Sequence, residues 1–118
     1  MVYKTWQLLG YFVRVPRVIQ ARKGSTEPPK EWTFLTNHGH VLVCVAKNPD
    51  VRVSEIADLV GIGERAAHRI LGDLVRDGYV NRKKSGRRNV YSVNFNRPLR
   101  HPLESDHSIG ELFRTVTK

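Results

Sequence analysis

The chain has 118 residues, with 20 Lys and Arg against 11 Asp and Glu, a net charge of +9 and a pI near 10.2. That length bounds it to one small domain with extensions, and the basic excess favours a polyanion, either nucleic acid or an anionic membrane surface. It contains no run of about 18 apolar residues that could span a membrane, and its only cysteine, Cys44, cannot form an intramolecular disulfide, which fits a reducing cytoplasm.

Residues 1–30 mix aromatic, aliphatic and basic side chains and hold six basic residues against the single acid Glu27. Leu8, Leu9, Tyr11 and Phe12 can share a helical face until Pro16 interrupts it. Gln7, Gly10 and Arg14 break the apolar continuity that a signal peptide needs. The segment reads as a basic arm used for packing or dimerisation, or as a poorly ordered leader. Gly24, Ser25, Pro28 and Pro29 mark a linker, and the domain boundary is set after Lys30.

Trp32 to Thr36 reads as a short strand or a lead-in, and Asn37 or Thr36 then caps a helix over about 38–47. Periodicity leaves Val41–Ala46 open between strand and helix; the polar cap before it and Asn48-Pro49-Asp50 after it favour helix. Ser54 caps a second helix over about 55–60, which Gly61 ends. A longer helix follows from about Glu64 to Asp77, closed by Gly78, and then two strands over 79–84 and 89–95. Pro98 and Pro102 bracket an extended crossing. Ser108 caps a last helix over 109–116, with Ile109, Leu112, Phe113 and Val116 at helical spacing. The fold class is mainly α with a small β-hairpin wing: a winged helix-turn-helix of three helices plus wing and a short C-terminal helix. Residues 1–30 form the arm and linker, 31–97 the helix-turn-helix domain, and 98–118 an extension that serves as a possible dimerisation element.

Turned at about 100° per residue, the helix over 64–77 puts Ala67, Ile70, Leu71, Leu74 and Val75 in one apolar sector of roughly 140°. Arg65, Arg69, Gly72 and Arg76 fall on the opposite side, with His68 and Asp73 at its margins. Arginines aligned opposite an apolar stripe suit a helix lying in a major groove, where a guanidinium bonds guanine bidentately or neutralises phosphate. The competing reading of that face is plain solvation. Next comes a hairpin bearing Arg82, Lys83, Lys84, Arg87 and Arg88, whose tight turn Gly86 permits. Such a cluster gains sequence-independent affinity by releasing counterions from phosphates, and an arginine at the tip can enter a narrow minor groove. Its competing reading is a soluble hairpin whose charge protects its edges.

Ser54-Glu55-Ile56-Ala57, Gly61-Ile62-Gly63-Glu64-Arg65, Leu74-Val75-Arg76-Asp77-Gly78-Tyr79-Val80 and Gly86-Arg87-Arg88-Asn89-Val90-Tyr91 resemble the winged helix-turn-helix of MarR/ArsR-type prokaryotic regulators over about residues 33–96. The resemblance implies a homodimer on a pseudo-palindromic operator, with recognition residues carried onto Arg65, His68 and Arg69. MarR proteins carry substantial dimerisation helices at both ends, whereas a basic leader and the short helix capped by Ser108 are expected here.

His40 and Cys44 are four residues apart with His38 nearby, but two such groups do not close a metal site, and buried or capping roles suit them better. Cys44 sits among aliphatics with no electropositive setting to activate it, and no phosphate-cradling glycine loop occurs, so neither an enzyme nor a bound cofactor is expected. The sequence is therefore read as a cytoplasmic, sequence-specific regulator of transcription that binds duplex DNA through Arg65, His68, Arg69, Arg76 and the wing cations, its effector unknown. The alternatives are a winged-helix adaptor for protein–protein contact, an RNA-binding or nucleic-acid-processing accessory domain and, through the basic leader, a membrane-surface contact.

Overall fold

The computed structural model describes residues 31–117, which fall within one unit of the chain, Glu31–Lys118. The arm expected over 1–30 lies outside the described residues. The elements run α1 (Asn37–Lys47), α2 (Val53–Val60), α3 (Glu64–Arg76), β1 (Val80–Ser85), β2 (Arg88–Val93) and α4 (Ile109–Phe113).

Residues 32–36 form neither strand nor helix, and the first helix starts at Asn37. Thr36 is its cap: its hydroxyl accepts from the Gly39 amide at 3.3 Å, and its carbonyl accepts from His40 at 2.9 Å. Val41–Ala46 is helical despite its β-branched content. The helix buries Val41, Leu42 and Val45 together against α2, α3 and β2, and this packing overrides a weak local preference. The second helix begins earlier than expected. Its N-cap is Arg52, not Ser54, because the Glu55 carboxylate reaches back to accept from the Arg52 amide at 2.8 Å. That contact is one half of a capping box, and it leaves Ser54 exposed inside the first turn.

Two glycines set the helix ends around the turn into α3 and the exit from it. Gly61, at φ +86°, lets Ile62 donate back to the Ala57 carbonyl at 3.0 Å. At the far end Gly78, also at φ +86°, donates to Val75 at 3.2 Å while Tyr79 donates to Leu74 at 2.9 Å. This pair of bonds is the Schellman closure; it ends α3 at Arg76, with Asp77 as the cap.

The hairpin pairs antiparallel with Val80 opposite Val93, Arg82 opposite Tyr91 and Ser85 opposite Arg88, which leaves Gly86-Arg87 as a two-residue turn with Gly86 at φ +64°. β2 is also tied on its other edge, where the Tyr91 amide donates to the Pro49 carbonyl at 3.0 Å. The connection between α1 and α2 is thus anchored to the wing.

The extended crossing expected at Pro98–Pro102 is instead a folded loop, with turns from His101 to Asp106. Leu99 donates to His107 at 2.9 Å and Ile109 to Arg97 at 2.8 Å, so the chain doubles back. Ser108 caps α4 as expected, accepting from the Glu111 amide at 3.3 Å while Glu111 accepts from the Ser108 amide at 2.9 Å. The helix stops at Phe113, short of Val116. Ile109 and Phe113 join a buried cluster with Ile56, Ala67, Ile70, Leu71 and Val80, whereas Leu112 and Val116 stay exposed. Gly110 makes this docking possible: a Cβ there would lie 2.9 Å from the Phe95 carbonyl oxygen.

Because Ile109 is 3% exposed, replacing it with alanine is expected to cost about 2–4 kcal/mol, read as a lowered urea midpoint. Gly110→Ala is expected to destabilise the fold as well, by about 1–3 kcal/mol, since α4 must shift away from the Phe95 backbone.

Candidate nucleic-acid interface

α3 carries the first half of the interface. Its inward side holds Ala67, Ile70, Leu71 and Leu74, all buried. Burying that stripe sets the rotation of the helix and so decides what faces water. Arg65, His68, Arg69 and Arg76 are exposed as a result. The helix starts at Gly63 with no side-chain cap and Glu64 in its first turn.

These four side chains differ in what surrounds them. Arg65 and Arg69 form no ion pair among the described residues. The His68 ring lies 3.9 Å from the Glu64 carboxylate, one turn back. Arg76 is engaged: its guanidinium sits 3.2 Å from Asp73 and 3.4 Å from Asp77. Asp77 also receives Arg100 at 2.7 Å, and its backbone carbonyl accepts from Arg97 at 3.0 Å. Asp73 accepts from the His38 ring at 2.9 Å, which ties α1 to α3. That hydrogen bond, reinforced by the charges of Arg76 and Arg69, holds the Asp73 carboxyl below its ordinary range, and the hydrogen bonds from Arg100 and Arg76 do the same for Asp77. Positive charge on α3 is therefore open to a partner in its N-terminal half and internally balanced at its C-terminal end.

The wing is the second half. Arg82, Lys83, Lys84, Arg87 and Arg88 are all exposed. Strand alternation divides the first three: Arg82 and Lys84 share a ribbon face with Tyr91 and Asn89, while Lys83 shares the other with Val90. Arg88 also holds structure, donating to the Asp50 carbonyl and clamping the α1–α2 connection to the start of β2.

Arg52 also belongs to this surface, beside Arg87 and Arg88, although sequence reasoning gave it no role. Glu55, three residues on, is the capping signal that could have placed it at a helix start. Behind α3, a separate cleft of about 410 Å³ is bordered by Phe34, His38, Leu74, Arg100, Leu112 and Phe113.

The candidate ligands His40 and Cys44 lie on α1 without a third partner; among the described residues no group of three His, Cys, Asp or Glu could hold a metal ion. Burial pushes the Cys44 thiol up to about 11 and lowers the pKa of His40, so at neutral pH the cysteine is held as a thiol, a poor nucleophile. His101 and His107 pair locally, with Glu104 at 3.6 Å and Glu111 at 2.8 Å. The Glu111 hydrogen bond and the Asp106 charge raise the pKa of His107. Among the described residues no helix is long and apolar enough to cross a membrane.

Gly72 sits mid-helix at the margin of the outer face, and a Cβ there would touch nothing within 4 Å. Gly72→Ala is therefore expected to raise stability by about 0.5–1 kcal/mol through helix propensity alone, measured as an increased urea midpoint.

Residues 35–84 match the model of the IclR helix-turn-helix domain, which covers α1 through most of β1. Among solved structures, the chain is similar to the zinc-dependent MarR family transcriptional regulator AdcR in its Zn(II)-bound state, at 16% identity and a TM-score of 0.41; the likeness covers 80% of this chain and spans 66% of that one. No curated protein compared with the chain matches it. Three helices, a glycine turn before the third and an antiparallel hairpin after it make a winged helix-turn-helix, and with the helix-turn-helix match they give residues 35–84 the character of a DNA-binding domain of a transcriptional regulator.

Proposed function

We propose that the protein is a sequence-specific transcriptional regulator, akin to the MarR/ArsR type, that binds duplex DNA as a homodimer with α3 in the major groove and the wing on the backbone or in the adjacent minor groove. The observation that carries this reading is the exposed, unpaired state of Arg65 and Arg69 among the described residues, on the side of α3 opposite its buried stripe. Two guanidiniums four residues apart stand about one helical turn from each other, the spacing at which both reach base edges in one groove. His68 lies between them on the exposed side.

Arg82, Lys83, Lys84 and Arg87 supply phosphate contacts, which set affinity and not sequence choice. Arg76 and Arg88 act mainly through the protein. Arg76 balances Asp73 and Asp77, and Arg88 holds the Asp50 carbonyl, so each orients an element more than it grips DNA. The homodimer is supported by the small size of the domain and by large apolar side chains left in water: Trp32, Phe34, Leu103 and Leu112. A pseudo-palindromic site would match its two-fold symmetry.

Selection of bound sequences from random duplex DNA, followed by titration against salt, tests the reading. Expected are an inverted-repeat consensus and an affinity that falls steeply as salt rises; a flat salt dependence, or no duplex binding at low salt, refutes it. At the selected site Arg69→Ala is expected to cost about 1–3 kcal/mol and to relax discrimination at one position. Lys84→Ala is expected to weaken selected and unrelated duplexes alike.

A further inference from the structure

A cleft of about 400 Å³ opens between the start of α2 and the tip of the wing. Arg52 lines it from one side, Arg87, Arg88 and Asn89 line it from the other, and Tyr91 contributes to its wall; no Asp or Glu side chain is among the lining residues. Arginines from two places in the sequence thus line one space, and an anion there would relieve the repulsion between their charges.

The geometry is fixed. The Tyr91 amide holds the Pro49 carbonyl at 3.0 Å, and Arg88 donates to the Asp50 carbonyl, so the segment leading into Arg52 is fastened to β2 at two adjacent residues. The Arg52 amide is occupied by Glu55, but its exposed side chain forms no ion pair among the described residues. Of the several N–H donors on Arg88, one is used on Asp50 and the others have no partner among the described residues. Tyr91, 4% exposed, forms part of the cleft wall.

We propose that this cleft is a phosphate subsite that takes one backbone phosphodiester of the duplex, with Arg52 as a DNA contact alongside the wing. The inference rests on the reading that the domain binds duplex DNA. Arginine suits the role because its planar fork meets two phosphate oxygens at once. The contact carries no sequence information; it fixes where the backbone lies relative to α2 and hence the register of α3 in the groove.

The test is the salt dependence of binding to two 30-base-pair duplexes, one of the selected sequence and one unrelated, measured for wild type, Arg52→Ala and Arg52→Lys, each checked for folding by thermal melting. Arg52→Ala is expected to reduce the slope of log K against log salt by about 0.9, the amount for one phosphate, and to weaken both duplexes by a similar factor. Arg52→Lys keeps the slope while losing part of the affinity. If wild type binds both duplexes steeply and Arg52→Ala matches it in slope and affinity, the subsite is refuted and the DNA reading stands; if wild type binds no duplex at low salt, both fall. Inorganic phosphate titrated by NMR forms the second arm. Saturable phosphate binding that Arg52→Ala abolishes, with the duplex slope unmoved, would mark a free-anion site and overturn the backbone assignment.

Discussion

Burial of Ala67, Ile70, Leu71 and Leu74 beneath the outer face of α3 is the contact on which the rest of the molecule depends. A helix with one apolar stripe has one orientation in which that stripe leaves water, and the burial energy of four such side chains, about 1.5–3 kcal/mol for each large one, outweighs any preference its surface arginines could express. The placement of Arg65, His68 and Arg69 in solvent is a by-product of that burial. Gly61 then fixes where α2 ends and Gly78 where α3 ends, because each takes a backbone conformation that a side chain would strain.

Charge on this surface is graded. Arg65 and Arg69 stand open at the beginning of α3, while Arg76 at its end is enclosed by Asp73, Asp77 and, through Asp77, Arg100. The wing carries its own open cations, and Arg52 adds another at the start of α2. Attraction to a polyanion therefore concentrates on the beginnings of the two helices and on the hairpin, and falls toward the C-terminal end of α3. His38 and Asp73, 2.9 Å apart, close that quieter end by joining it to α1.

Much of this was legible in the chain, for local reasons. The 3.6-residue period over 64–77, the two helix-ending glycines and the alternation of Tyr91, Val93 and Phe95 each depend on residues close in sequence, and α1 to α3 and the two strands fall within a residue or two of their expected places. Arg76 and Arg88 were read with the wing and helix cations because sequence alone does not reveal that Asp77 and Asp50 engage them. Arg52 went unnoticed because its company is made across 35 residues, by a strand-edge hydrogen bond from Tyr91 to Pro49. The segment after Pro98 was misjudged for the same reason: its turns are held by Leu99–His107 and Arg97–Ile109 bonds that no local pattern announces.

Tyr79 gathers several of these ties. Its amide closes α3, its carbonyl accepts from Asn94 at 2.9 Å at the end of the wing, and its hydroxyl donates to the Pro98 carbonyl at 2.5 Å. The side chain is 7% exposed, in the same buried cluster as Ile109 and Phe113. The third helix, the wing and the C-terminal segment therefore share one keystone. For anyone grafting this domain onto another protein, the portable module does not end with the hairpin: a transplant cut after β2 would lose the groups that close over Tyr79, and only one that runs through Phe113 carries the intact fold.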